Sequence, residues 1–100
     1  MKRIETAELQ DRLSDSARFE FWNVLTDEYF TGQLIPGSRR VPLDVVVKTA
    51  KTEGLARDAE IVVYCAGPEC PQSLLAAEKL VAVGYTNVRV YEGGLQEWAG

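Results

Sequence analysis

Two cysteines, Cys65 and Cys70, stand five residues apart in the run Cys65-Ala66-Gly67-Pro68-Glu69-Cys70-Pro71-Gln72-Ser73, and they are the only thiols in the chain. Three chemistries are open to such a pair: attack by a thiolate, disulfide exchange, or metal ligation. Ligation falls first. Two thiolates cannot complete a four-thiolate zinc or iron-sulfur site, and the sequence holds no histidine. That same absence removes Ser-His-Asp and Cys-His catalysis and any imidazole proton switch. Acid, base and nucleophile must come from Asp, Glu, Lys, Tyr, Ser or Cys.

The position of Cys65 favours the nucleophile. Ile61-Val62-Val63-Tyr64 is a short, β-branched apolar run that reads as a buried strand. From Ser73 to Val83, Leu74, Leu75, Ala76, Ala77, Leu80 and Val81 fall at helical spacing, and Gly84 follows as a stop. Cys65 thus sits on the last step of a strand, before a loop that ends at a helix N-terminus. Backbone amides and the helix dipole converge there, which predicts a stabilised thiolate and a lowered Cys65 pKa. Gly67 lets the loop curl, while Pro68 and Pro71 stiffen it. A strand-end cysteine that is only a small buried hydrophobe is the competing reading.

Val88-Arg89-Val90-Tyr91 supplies the next strand, so the segment is strand, helix, strand, most simply a right-handed parallel crossover in an α/β fold. Upstream, Lys2 to Ile4 reads as a short edge strand, Thr6 to Leu13 as a helix with Thr6 as N-cap, and Phe19 to Val24 as a strand. Asp27 to Phe30 reads as a helical turn, Pro36-Gly37 as a turn, Arg39 to Val41 as a strand, and Leu43 to Glu53 as a helix ending before Gly54. Five strands alternating with helices predict a parallel sheet covered on both faces, with ligands at the carboxyl ends of the strands.

Composition sets the outer bounds. One hundred residues, 46% of them hydrophobic, fit one globular domain over 1–100. A net charge of −4, with adjacent basic pairs only at Lys2-Arg3 and Arg39-Arg40, argues against a nucleic-acid footprint. Lys2-Arg3 is followed by Ile4-Glu5-Thr6-Ala7-Glu8 and not by an apolar stretch, so it does not read as a signal peptide. No apolar run is long enough to span a bilayer. The expectation is a cytoplasmic protein that binds neither membrane nor nucleic acid.

Three segments together resemble the single-domain rhodaneses, sulfurtransferases whose cysteine carries a persulfide from a sulfur donor to an acceptor. Gly32-Gln33-Leu34-Ile35-Pro36-Gly37-Ser38 with Val41-Pro42 is similar to the family's first signature. Ile61 to Cys65, followed by Ser73, Ala76-Ala77, Leu80, Gly84-Tyr85 and Asn87-Val88, resembles its active-site strand, loop and helix. Tyr91-Glu92-Gly93-Gly94-Leu95-Gln96-Glu97-Trp98 resembles its closing double-glycine and tryptophan motif, in which the glycines read as a turn and Trp98 as a core anchor. The resemblance implies a rhodanese-like three-layer sandwich, a five-stranded parallel sheet with helices on both faces. It implies Cys65 as the persulfide carrier, with Ala66, Gly67, Pro68, Glu69, Cys70, Pro71 and Gln72 as the cradle and Ser73 opening the helix behind it. The donor would be thiosulfate or a low-molecular-weight persulfide, and the acceptor a thiol or cyanide, with a sulfur-relay protein as a further partner. No metal or organic cofactor is implied.

The chain departs from the family pattern in charge. The family's loop commonly carries a basic residue; here none of the seven residues between Cys65 and Ser73 is basic, and Glu69 is acidic. Arg39 and Arg40 could replace the missing charge from a neighbouring strand end, or simply face solvent. Asn23, Leu25 and Leu34 stand where relatives have aspartate, arginine and histidine. Cys70 could resolve a Cys65 persulfide or be a loop residue without chemical role. Besides the enzyme, two other readings stand: a binding or regulatory module that has lost efficient turnover, and a Cys65–Cys70 redox switch.

Overall fold

The computed structural model describes residues 2–15 and 18–99. Strand β4, Ile61–Tyr64, lies at the middle of a five-stranded sheet, and all four of its residues are buried, as a strand covered on both faces requires. β5 (Val88–Tyr91) pairs with it on one side and β2 (Glu20–Asn23) on the other; β1 (Lys2–Arg3) and β3 (Arg39–Arg40) form the edges. Every pairing is parallel, in the order β1-β5-β4-β2-β3.

Strand alternation sends successive side chains to opposite faces. Ile61, Val63 and Cys65 join Trp22, Val88 and Val90 under α2 (Val46–Thr52) and α3 (Gln72–Ala82), whose Val46, Ala50, Ala76, Ala77 and Leu80 close that core. Val62 and Tyr64 point the other way, joining Phe21, Ile35 and Tyr91 under Leu9 of α1 (Thr6–Ser14), with Trp98 of α4 (Gly94–Ala99) packed against them. Cys65 therefore continues the inward period of β4 beneath α3. Among the described residues no helix is long and apolar enough to cross a membrane.

Element bounds depart from expectation in informative places. Thr6 is not an N-cap: Glu5 holds that position without a side-chain cap, and Thr6 Oγ1 instead hydrogen-bonds the Tyr91 hydroxyl at 2.7 Å and the Glu97 carboxylate. Leu43 to Glu53 is two pieces, because Val45 N–H donates to the Pro42 carbonyl and tightens Leu43–Val45 into a 3-10 turn ahead of α2. The double glycine does not only turn the chain, since a helix, α4, begins at Gly94. Trp98 anchors from the margin, half-buried and edge-on to Tyr91 with centroids 6.5 Å apart.

Candidate active site

β2 and β4 are neighbours, yet their connections leave in opposite directions, β2 toward β3 and β4 through α3 toward β5. The crevice beyond the carboxyl ends of such a pair is where α/β sheets bind ligands. A cavity of about 380 Å³ lies there, lined by Leu25, Tyr29, Ala66, Cys70, Pro71 and Gln72. Leu25 follows β2, Ala66, Cys70 and Pro71 belong to the loop after β4, and Gln72 opens α3. A second hollow, of about 240 Å³, opens along the same loop over Gly67, Pro68, Glu69, Cys70, Pro71, Ser73, Leu74 and Glu92.

Cys65 lies beneath this loop and is 1% exposed. Its Sγ is 3.3 Å from the Cys70 carbonyl and 3.4 Å from Ser73 Oγ, both within reach as acceptors of the thiol proton. The loop achieves this by a turn in which Cys70 N–H donates to the Gly67 carbonyl at 3.0 Å, so the chain doubles back and presents Cys70 to Cys65. Both cysteines are free thiols.

The expected lowering of the Cys65 pKa is overturned. Burial in an apolar site pushes the thiol up, and the Cys70 side chain pushes it further; the hydroxyl and backbone amide of Ser73 pull the other way without prevailing. The physical reason is burial of the sulfur, which strips the thiolate of its hydration and which the two Ser73 donors do not offset. Helix α3 contributes the Ser73 amide as anticipated, but the loop turns the Cys70 carbonyl, the negative end of its dipole, toward Sγ, while the Cys70 amide is taken by Gly67.

The expected site residues scatter in a definite way. Ala66, Gly67, Pro68, Glu69, Cys70, Pro71 and Ser73 line the two hollows, whereas the buried Cys65 lines neither. Gln72 lines the first hollow and also acts as a clamp: its Oε1 accepts from Thr26 N–H at 3.0 Å and its Nε2 donates to Thr26 Oγ1 at 3.2 Å, tying α3 to the segment after β2. Arg40 stands level with Asn23 and Tyr64 at the carboxyl end of the sheet. Its guanidinium lies 4.3 Å over the Phe30 ring, pairs with Asp27 at 2.6 Å and donates to the Leu25 carbonyl at 3.2 Å, so it braces one wall. Arg39 reaches to Glu53 and to Glu20 at the opposite end of β2, over Trp22 and away from Cys65.

Two contributors, Asn23 and the double glycine, carry roles the sequence did not show. Asn23 is fully buried, and its Oδ1 accepts from Leu25 N–H at 3.0 Å, fixing the bend after β2. The amino end of α4 sits directly on the start of the loop: Leu95 N–H donates to the Cys65 carbonyl at 3.1 Å and Gln96 N–H to the Ala66 carbonyl at 2.9 Å. Gly94, with φ +58°, makes that approach possible, since a Cβ there would stand 2.4 Å from the Cys65 oxygen. The signal was present in Gly93-Gly94, read as a turn.

Solved structures share the fold. The chain is 22% identical to the human single-domain sulfurtransferase TSTD1, with 99% of this chain and 96% of that one covered and a TM-score of 0.79. It is 28% identical to a rhodanese-like domain protein from Staphylococcus aureus, covering 98% and 91%, with a TM-score of 0.79. A rhodanese-like domain from Anabaena aligns at 26% identity over 99% of this chain and 74% of that one, with a TM-score of 0.83. No curated protein matches the chain in sequence. The rhodanese-like domain model matches residues 5–100, nearly the whole sheet and every helix, and the chain belongs to that family.

Proposed function

We propose that the protein is a sulfurtransferase of the rhodanese type, in which Cys65 takes a sulfane sulfur from a small donor and passes it to a thiol or cyanide. The observation that carries this reading is Cys65 itself, at the carboxyl end of the central strand with its Sγ against Ser73 at the start of α3, beside a crevice. In the first step the Cys65 thiolate attacks the outer sulfur of a donor R–S–SH; a Cys65–sulfur bond forms, the donor's S–S bond breaks, and RS⁻ leaves with the proton Cys65 gave up. In the second step the acceptor attacks the outer sulfur and Cys65 is restored. Ser73 can donate its hydroxyl and amide to the sulfur when it is charged, which is the sense in which it lowers the thiol pKa.

Charge favours a persulfide over thiosulfate as donor. Glu69 stands in the loop, and the arginine that braces the crevice wall, Arg40, is paired with Asp27. A dianion would meet a carboxylate beside a cation that is already neutralised. The protonated, buried thiol also suits a second reading, a rhodanese-like module that binds a protein partner and turns over poorly. Intact-mass spectrometry separates the two. After incubation with glutathione persulfide, polysulfide or thiosulfate, the Cys70→Ser variant should gain one sulfur that cyanide removes, and the double variant Cys65→Ser, Cys70→Ser should gain none. No adduct from any donor would leave the binding module as the reading.

A further inference from the structure

We propose that Cys70 is a resolving thiol, so that a sulfur loaded on Cys65 is released as hydrogen sulfide within the same chain. The inference rests on Cys65 carrying a persulfide. The Cys70 thiolate attacks Cys65 Sγ, a Cys65–Cys70 disulfide forms, the bond between Sγ and the carried sulfur breaks, and hydrosulfide leaves to take up the proton Cys70 gave. The carried sulfur gains two electrons and the two cysteine sulfurs together lose two. A dithiol reductant then returns the disulfide to two thiols.

Three features place Cys70 for this step. The Gly67 to Cys70 turn doubles the loop back, so that the Cys70 main chain lies 3.3 Å from Cys65 Sγ, and disulfide formation demands that the two residues already be close. Both sulfurs are free. Access is divided between them: Cys65 is 1% exposed, whereas Cys70 is half-buried and lines both hollows, so an external dithiol meets Cys70 first. Charge points the same way, because an internal thiol need not be carried past Glu69 as an external anion must. The Cys70 side chain also bears directly on the Cys65 thiol, which it helps to keep protonated.

A single-turnover experiment tests this. Reduced protein is loaded with glutathione persulfide, freed of excess donor and kept without added thiol, while sulfide is trapped and the intact mass followed. The parent should pass from one added sulfur to a species two hydrogens lighter than the reduced chain, releasing one sulfide as it does. Cys70→Ser and Cys70→Ala should take up the sulfur and hold it, with release slowed at least about a hundredfold, because an intramolecular thiol has been replaced by encounter with a second molecule. Retention of the adduct on Cys65 reports that the loop is still formed. If the variants release sulfide as fast as the parent, or the loaded parent keeps its sulfur, the resolving role is overturned while the persulfide reading stands. If neither the parent nor any variant takes up sulfur, the persulfide reading fails and the resolving role with it.

Discussion

Replacing Gly94 with alanine should disable the site from outside the cysteine loop. The new Cβ would lie 2.4 Å from the Cys65 carbonyl oxygen, 2.9 Å from the Ala66 carbonyl carbon and 2.9 Å from the Gly67 nitrogen. All three are main-chain atoms, so no side chain can swing aside; α4 must lift or the loop must shift. Either movement breaks the bonds from Leu95 N–H to Cys65 and from Gln96 N–H to Ala66. Alanine at φ +58° costs about 1 kcal/mol, and two lost backbone bonds about 1 kcal/mol each, giving about 3 kcal/mol. For a domain of this size that lowers Tm by roughly 12 to 24 °C. Gly32 provides the control: its φ is +88°, but a Cβ there meets nothing within 4 Å, so Gly32→Ala carries backbone strain alone, about 1 kcal/mol. Urea unfolding followed by tryptophan fluorescence measures both, and sulfur uptake should fall in Gly94→Ala only. Equal destabilisation of the two variants would refute the claim that α4 buttresses the loop.

The alkylation rate of Cys65 in the Cys70→Ser variant should rise with pH through a midpoint above the value of about 8.5 for a free cysteine, and Ser73→Ala should move it higher; a midpoint below that value contradicts the burial account. Since the native thiol keeps its proton to higher pH than the unfolded one, stability from this group is complete below about pH 8.5 and declines as pH rises through the native value, which denaturation midpoints across that range would show. Arg39→Gln should lose no more than about 1 kcal/mol, because its pairs with Glu20 and Glu53 are exposed, and should leave sulfur uptake from thiosulfate within about twofold. A steep loss of uptake would place Arg39 in donor binding after all.

The parts of the fold that sequence made plain are those where one local signal met no rival. β4 is a β-branched run that follows a charged stretch, and α3 pairs a full apolar stripe with a glycine stop. Elsewhere tertiary partners decided. Thr6 has the side chain of an N-cap, but Tyr91 and Glu97 arrive from the far end of the chain and claim its hydroxyl. α4 is too short at six residues to show a period, and its first residue is one that ordinarily ends helices. The position of Cys65 was legible, its ionisation was not. Residue types place a cysteine near a helix terminus; they do not say how completely the loop buries the sulfur, and that burial outweighs the Ser73 donors and reverses the sign of the effect.

A thiol whose pKa is raised is no obstacle to sulfur capture, and it biases the route by which the captured sulfur departs. Each unit upward cuts the thiolate fraction tenfold but increases the intrinsic nucleophilicity of the remaining thiolate about threefold, so the net loss in attack is only about threefold. The larger consequence concerns release. An external acceptor that takes the outer sulfur must expel the Cys65 thiolate, and the buried pocket that disfavours this ion makes it a poor leaving group. Attack on Cys65 Sγ expels hydrosulfide instead, and leaves no charge behind on Cys65. The pocket thus penalises hand-over to an outside acceptor more than it penalises resolution by Cys70. Acceptor-dependent turnover should therefore be slow in the parent and gain little from added cyanide when measured beside sulfide release, whereas in Cys70→Ser cyanide becomes the principal exit for the carried sulfur. Equal partition between cyanide and sulfide in the two proteins would break the link between the burial of Cys65 and the route its sulfur takes.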